Sequence, residues 1–134
     1  MTGLLVDTSA LLAVLDADDR NHRTARTLWE KVIGDGRVLV THNYILVETS
    51  ALAARKLGME AVRVLEQDVV PILRIFWVTD EIHRASVGAH LAASRRDLSL
   101  VDCVTFEIMR RSGLREALAF DRHFVEFGFE LPRA

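Results

Sequence analysis

Asp7, Glu48, Asp102 and Asp121 each stand against an apolar run, outside any charge-rich stretch. Asp7 closes Leu4-Leu5-Val6, and Asp102 follows Leu98-Ser99-Leu100-Val101. Glu48 lies between Tyr44-Ile45-Leu46-Val47 and Ala51-Leu52-Ala53, and Asp121 closes Ala117-Leu118-Ala119-Phe120. A carboxylate at the edge of a core costs desolvation energy unless something positive meets it. Several carboxylates gathered without a fixed cation raise one another's pKa. A hard divalent ion with oxygen ligands, Mg²⁺ or Mn²⁺, relieves that repulsion. Such an ion activates water and stabilises displacement at phosphorus.

Each acid also has a structural reading. Asp7 can cap a helix beginning at Thr8, although Thr8 or Ser9 can serve instead. Asp102 stands three residues after Ser99, the spacing of a capping box. Asp121 can cap a turn at Arg122-His123-Phe124. Glu48 is harder to explain this way. Its helical neighbours three and four positions away are Tyr44, Ile45, Ala51 and Leu52, so no local ion pair is available. A distant Arg or a metal must meet it.

Certain elements must carry these residues. Gly3 to Val6 reads as a short buried strand running into a helix from Ala10 to Leu15. His22 to Ile33 has helical spacing and ends at Gly34-Asp35-Gly36. Val38-Leu39-Val40 is a second strand, followed by a helix from Asn43 to Leu57 that stops at Gly58. Met59 to Leu73 is amphipathic, with Pro71 bending or ending it. Ile75 to Val78 is a third strand, and Thr79 or Asp80 caps a helix from Glu81 to Arg96. Ser99 caps another, closed by Ser112-Gly113. Leu118 to Phe120 is a fourth strand, and Phe127 to Leu131 is a short edge strand. Apolar strands alternating with helices predict an α/β fold: a three-layer sandwich with a small, mostly parallel sheet of four to five strands flanked by helices. In such sheets ligands bind beyond the carboxyl ends of the strands, near the switch in strand order. All four acids can reach that rim.

Composition bounds the function. The chain has 134 residues, half of them hydrophobic, enough for one domain spanning residues 1–134 and too few for two well-packed ones. The formal net charge is −2, so contact with nucleic acid requires a local basic patch. The basic residues are Arg apart from Lys31 and Lys56. Cys103 is the single cysteine, which excludes an intrachain disulfide and, lacking partners at ligand spacing, a zinc knuckle. His22, His42, His83, His90 and His123 share no spacing, so a histidine metal site is not expected. No apolar run spans a bilayer and no signal peptide is evident, so the chain reads as cytoplasmic.

Four segments, in order, resemble the PIN domain. They are Val6-Asp7-Thr8-Ser9-Ala10-Leu11, Val47-Glu48, Leu98-Ser99-Leu100-Val101-Asp102 and Phe120-Asp121-Arg122-His123-Phe124. Length and element order are similar to the VapC-type toxins of toxin–antitoxin pairs. The resemblance implies an Mg²⁺-dependent endoribonuclease, with Mn²⁺ as the alternative ion, hydrolysing RNA by metal-activated water to leave a 5′-phosphate and a 3′-hydroxyl. It implies Asp7, Glu48, Asp102 and Asp121 as catalytic and metal-binding acids. Asp7 and Asp102 would hold the principal ion. Thr8 or Ser9 would hydrogen-bond a carboxylate or the scissile phosphate. It further implies a homodimer and a small cognate antitoxin, and no membrane partner. The position two before the last acid, often Thr or Ser in the family, is Ala119, so a polar contact is missing beside Asp121. Arg20, Arg23, Arg95, Arg96 and Arg122 are candidates for RNA backbone contacts.

Other classes remain: a housekeeping RNA-processing nuclease, and a non-catalytic PIN binding module whose mark would be a lost acid. A phosphatase with Asp7 as nucleophile is disfavoured, because the second Asp expected two residues later is Ser9.

Overall fold

The strands pair side by side in the order β3-β2-β1-β4, all parallel. In this computed structural model, which describes residues 3–133, β1 is Leu4–Val6, β2 Leu39–His42, β3 Arg74–Phe76 and β4 Glu116–Leu118. Every residue of β1 and β2 is buried, which is why both read as unbroken apolar or Thr-containing runs. The chain leaves β1 towards β2 and β3, then returns to pair β4 on the other side of β1. The switch in strand order therefore falls between β1 and β4.

Helices make the crossovers. α1 (Thr8–Leu15) and α2 (His22–Gly34) join β1 to β2. α3 (Asn43–Leu57) and α4 (Met59–Val64) lead towards β3, and α5 (Asp80–Ala93) and α6 (Leu100–Ser112) return to β4. A short α7 (His123–Glu126) follows. One apolar core joins β1, β2, α1, α2, α3 and α6, through residues such as Leu4, Val40, Leu11, Trp29, Ile45 and Phe106. Ile82, Val104 and Ile108 form a second cluster where α5 meets α6.

Several boundaries differ from expectation. β2 runs over Leu39–His42, not Val38 to Val40, and β3 over Arg74–Phe76, not Ile75 to Val78, because each strand extends only as far as its paired neighbour. The helix expected over Met59 to Leu73 gives way after Val64 to a π turn at Leu65–Val69 and a 3₁₀ turn at Val70–Ile72. Pro71, with no N–H, lies in that last turn. α5 stops at Ala93, not Arg96, because Ser94 takes a left-handed conformation (φ 50°) and Arg95 turns to pair with Asp97 and Glu126. β4 is Glu116–Leu118, two residues earlier than Leu118 to Phe120. Its partner β1 has only three residues, and the Asp7 N–H to Leu118 carbonyl bond (3.1 Å) is the last rung. Phe127 to Leu131 is no strand. It contributes a single bridge, Glu130 to Glu116.

α6 fixes the rim from below. Gly113 (φ 73°) ends it, and the Leu114 N–H returns to the Met109 carbonyl at 2.9 Å. Phe106, fully within the core, meets Phe124 edge-on and stacks on Phe127 and Phe129. These rings pin the segment after β4 onto α6, and so hold Asp121 against the helix that carries Asp102.

Candidate active site

Asp7 directly follows β1 and caps α1. Its carboxylate accepts the Ser9 hydroxyl at 2.9 Å and the Ser9 N–H at 3.4 Å. The expected caps, Thr8 and Ser9, lie instead in the first turn of α1. The Ser9 hydroxyl oxygen also accepts the Phe120 N–H at 3.0 Å. One hydroxyl thus ties the end of β1 to the chain leaving β4, and gives Phe120 the partner that the short ladder lacks. Thr8 is buried, and its hydroxyl accepts from Thr49 of α3 at 3.4 Å.

Asp7 is 5 % exposed. Burial raises its pKa from 3.8 to about 7, with the Ser9 hydroxyl pulling it down and Asp102 pushing it up. A carboxyl so raised lacks a compensating positive charge.

Asp102 sits in the first turn of α6 in a full capping box. Its N–H donates to the Ser99 hydroxyl at 3.0 Å, and its carboxylate accepts the Ser99 N–H at 3.1 Å. Its pKa is raised by burial first and by Asp121, against the Ser99 backbone bond. The cap uses Oδ2 without neutralising the charge, so the structural role leaves the electrostatic demand unmet.

Asp121 lies in the turn after β4. Its Oδ1 accepts the His123 backbone N–H at 2.9 Å, which starts α7. His123 Nδ1 is 2.8 Å from that same oxygen and 3.8 Å from Asp102 Oδ2. Asp102, Asp121 and His123 thus each offer a ligand atom, all within 4.8 Å of one another. Asp7 is not in that tight group, but its carboxylate feels Asp102. Glu48 is also outside it. It lies half-buried in the second turn of α3, beside Thr49, and makes no hydrogen bond or ion pair among the described residues.

His123 is the residue that sequence reasoning passed over. Only its place two residues after Asp121 hinted at it. Its Nε2 is 3.2 Å from Asp97 Oδ2, and Arg95 grips both oxygens of Asp97 at 2.9 and 3.1 Å. Burial lowers the His123 pKa, but the hydrogen bond to Asp97 and the close Asp121 and Asp102 carboxylates outweigh it, for a net rise.

No Lys or Arg among the described residues pairs with Asp7, Asp102 or Asp121. Acidic oxygens lacking counter-charge, two of them with raised pKa, fit a divalent cation well. Arg95 is committed to Asp97 and Glu126. Arg20, Arg23, Arg96 and Arg122 are exposed and unpaired among the described residues.

A short parallel sheet with acids beyond β1 and β4 and at the head of α6 defines the class. The chain belongs to the PIN domain family, whose model matches residues 4–130. The 23S rRNA-specific endonuclease VapC20 of Mycobacterium tuberculosis is 32 % identical over 127 residues, 94 % of this chain and 95 % of that protein. The crystal structure of M. tuberculosis VapC20, a sarcin-ricin loop cleaving toxin, superposes with a TM-score of 0.82 at 31 % identity, covering 95 % of this chain and 96 % of that one. FitAcB from Neisseria gonorrhoeae shares the fold, with a TM-score of 0.70, 14 % identity and coverage of 97 % and 96 %. So does DNA-bound VapBC from Salmonella typhimurium, with a TM-score of 0.66, 17 % identity and coverage of 98 % of both chains.

Proposed function

We propose that this chain is a divalent-metal-dependent endoribonuclease and the toxin of a toxin–antitoxin pair. The observation that carries the reading is the convergence of Asp7, Asp102 and Asp121 at the strand-order switch with no basic side chain but His123 against them. Kinship to an endonuclease named for 23S rRNA supports RNA as the substrate and makes ribosomal RNA the first to assay.

Asp7 and Asp102 would hold the principal ion, with Asp121 and Glu48 completing the pocket. When bound, Mg²⁺ or Mn²⁺ supplies a nucleophile at neutral pH and offsets charge at phosphorus. The chain's own residues do the positioning. Ser9 fixes the Asp7 carboxylate against the β4 side of the rim, and Ser99 fixes that of Asp102. Thr49 holds Thr8 and so sets α3, which carries Glu48, against the head of α1. Below pH about 7 a proton competes with the cation for Asp7, so metal affinity rises with pH through neutrality. Arg20, Arg23, Arg96 and Arg122 are free to meet backbone phosphates, which makes binding salt-dependent.

The reading extends to partners and place. A small antitoxin and a second copy of the chain follow from kinship to a toxin. Val47 and Trp77, 68 % and 67 % exposed, line one apolar groove between α3 and β3 and support a protein partner on that face. We read the protein as cytoplasmic, in keeping with an RNA substrate. No helix among the described residues is long and apolar enough to cross a membrane.

The test is RNA cleavage with Mg²⁺ or Mn²⁺ for the wild type, Asp7→Asn and Glu48→Gln. Cleavage that stops with EDTA, fails in both variants and leaves 5′-phosphate ends is expected. Equal cleavage in EDTA, or full activity in both variants, would overturn the reading.

A further inference from the structure

Among the acids at the rim, one nitrogen has no use in the folded chain. His123 Nδ1 is wholly buried and makes no hydrogen bond of sound geometry among the described residues. The ring as a whole is ordered, because Nε2 meets Asp97 Oδ2 at 3.2 Å. Asp97 is held by Arg95, whose hydrogen bonds keep its carboxyl well below the usual range. An ionised carboxylate only accepts, so the Nε2 of His123 carries the hydrogen. In the neutral ring the lone pair then lies on Nδ1.

That lone pair faces oxygen. Asp121 Oδ1 is 2.8 Å away and Asp102 Oδ2 3.8 Å away. Asp121 Oδ1 already accepts the His123 backbone N–H, and it lies off the line that an Nδ1 hydrogen would take. A lone pair against two carboxylates is repulsive unless a proton or a metal ion sits among them. Two ligands of one octahedral ion with bonds near 2.1 Å are about 3 Å apart when adjacent and about 4 Å apart when opposite. The separations around Nδ1 match those distances. A carboxylate on the far nitrogen of a metal-binding imidazole is also the recurrent way to fix its tautomer and orientation.

We infer that His123 is a metal ligand, donating Nδ1 to the divalent ion held by Asp102 and Asp121, with Asp97 and Arg95 orienting the ring. This rests on the proposed metal-dependent site and adds a nitrogen to its oxygens. Mg²⁺ binds imidazole poorly, and Mn²⁺, a first-row transition ion, accepts a nitrogen ligand more readily, so the nitrogen shifts preference from Mg²⁺ towards Mn²⁺.

Pulsed EPR of the Mn²⁺-loaded protein tests the ligand without any turnover. Nitrogen coupling of directly bound imidazole is expected in the wild type and absent in His123→Gln. Calorimetry should show Mn²⁺ affinity falling at least about tenfold in that variant, and Mg²⁺ affinity falling by less than about threefold. A wild-type spectrum without nitrogen coupling overturns the inference even if the variant fails to fold. Coupling that persists in His123→Gln, or equal losses for both ions, overturns it too. RNA cleavage with Mn²⁺ but no nitrogen coupling sinks the ligand and leaves the nuclease standing. A protein that neither binds Mn²⁺ nor cleaves RNA sinks both.

Discussion

Asp7→Asn should stabilise the metal-free protein while abolishing cleavage. The carboxyl has a pKa of about 7 in the fold against 3.8 in a free chain. Between those values the unfolded chain is ionised while the folded one keeps its proton, so stability falls as pH rises and levels off above about 7. At about 1.4 kcal/mol per pH unit, the loss reaches about 4 kcal/mol at pH 8 and about 1.6 kcal/mol at pH 5. Relaxation and water entry at the rim make these ceilings. Asn keeps the acceptor that takes the Ser9 hydroxyl and caps helices as well as Asp, so the substitution isolates the charge. Urea unfolding in EDTA at pH 5 and pH 8 measures it. The advantage of Asp7→Asn should be small at pH 5 and more than double by pH 8. Saturating Mn²⁺ should then narrow the gap by stabilising the wild type alone, by about 2.7 kcal/mol at a hundred times Kd. An advantage that is absent at pH 8, or equal at both pH values, refutes the reasoning.

Glu48→Gln should change unfolding free energy by less than about 0.5 kcal/mol, since no partner is lost, while lowering cleavage at least about tenfold; matched denaturation and RNA cleavage assays check both. Ser9→Ala removes two hydrogen bonds, one of them charged, and should cost about 2–3 kcal/mol in stability, read by urea midpoint. His42 has its pKa pushed by burial from 6.5 to about 3, so its share of stability is complete above pH 6.5 and lost as pH falls towards 3. Stability of Asp7→Asn, freed of the opposing Asp7 term, should therefore rise between pH 4 and 6.5 more steeply than that of the wild type. Thr105→Val leaves His42 Nε2 without an acceptor and should cost about 1–3 kcal/mol by the same assay.

What the sequence made legible follows from burial. Acids that close apolar runs are conspicuous because water is being removed around them, and Asp7 and Asp102 lie where that reasoning puts them. The α/β pattern was equally open, since buried parallel strands leave unbroken apolar runs. The extent of β4 was hidden, because a strand ends where its partner ends, and β1 ends at Val6. His42 as the cap of α3 was hidden too. Histidine caps only when its tautomer is fixed, and Thr105, sixty-three residues away, fixes it: its oxygen takes the Nε2 hydrogen and leaves Nδ1 to accept the Ile45 N–H. His123 was hidden for the same reason, since its orientation depends on Asp97 and Arg95.

The distribution of satisfied and unsatisfied polar groups locates the function more sharply than any one acid. Beneath the rim every buried hydroxyl has a partner. Thr41 donates to the Val6 carbonyl, Thr49 to Thr8, Thr105 to the Val101 carbonyl and Ser86 to the Ile82 carbonyl. The first ties β2 to β1 and the second α3 to α1, while the other two lie within α6 and α5. Among the described residues, unmet demand gathers at the rim above: in the raised carboxyls of Asp7 and Asp102, the unpaired carboxylate of Glu48, and the orphan nitrogen of His123. Among the described residues, His123 Nδ1 is the one buried side-chain nitrogen or oxygen left without a partner, so general poor packing does not account for it. The support beneath the rim keeps the acids from relaxing apart, so their repulsion persists in the metal-free protein. In the proposed metal site, strain on the metal-free protein and affinity for the ion would be two readings of one electrostatic term, which is why Asp7→Asn is expected to raise the first kind of stability and lose the second.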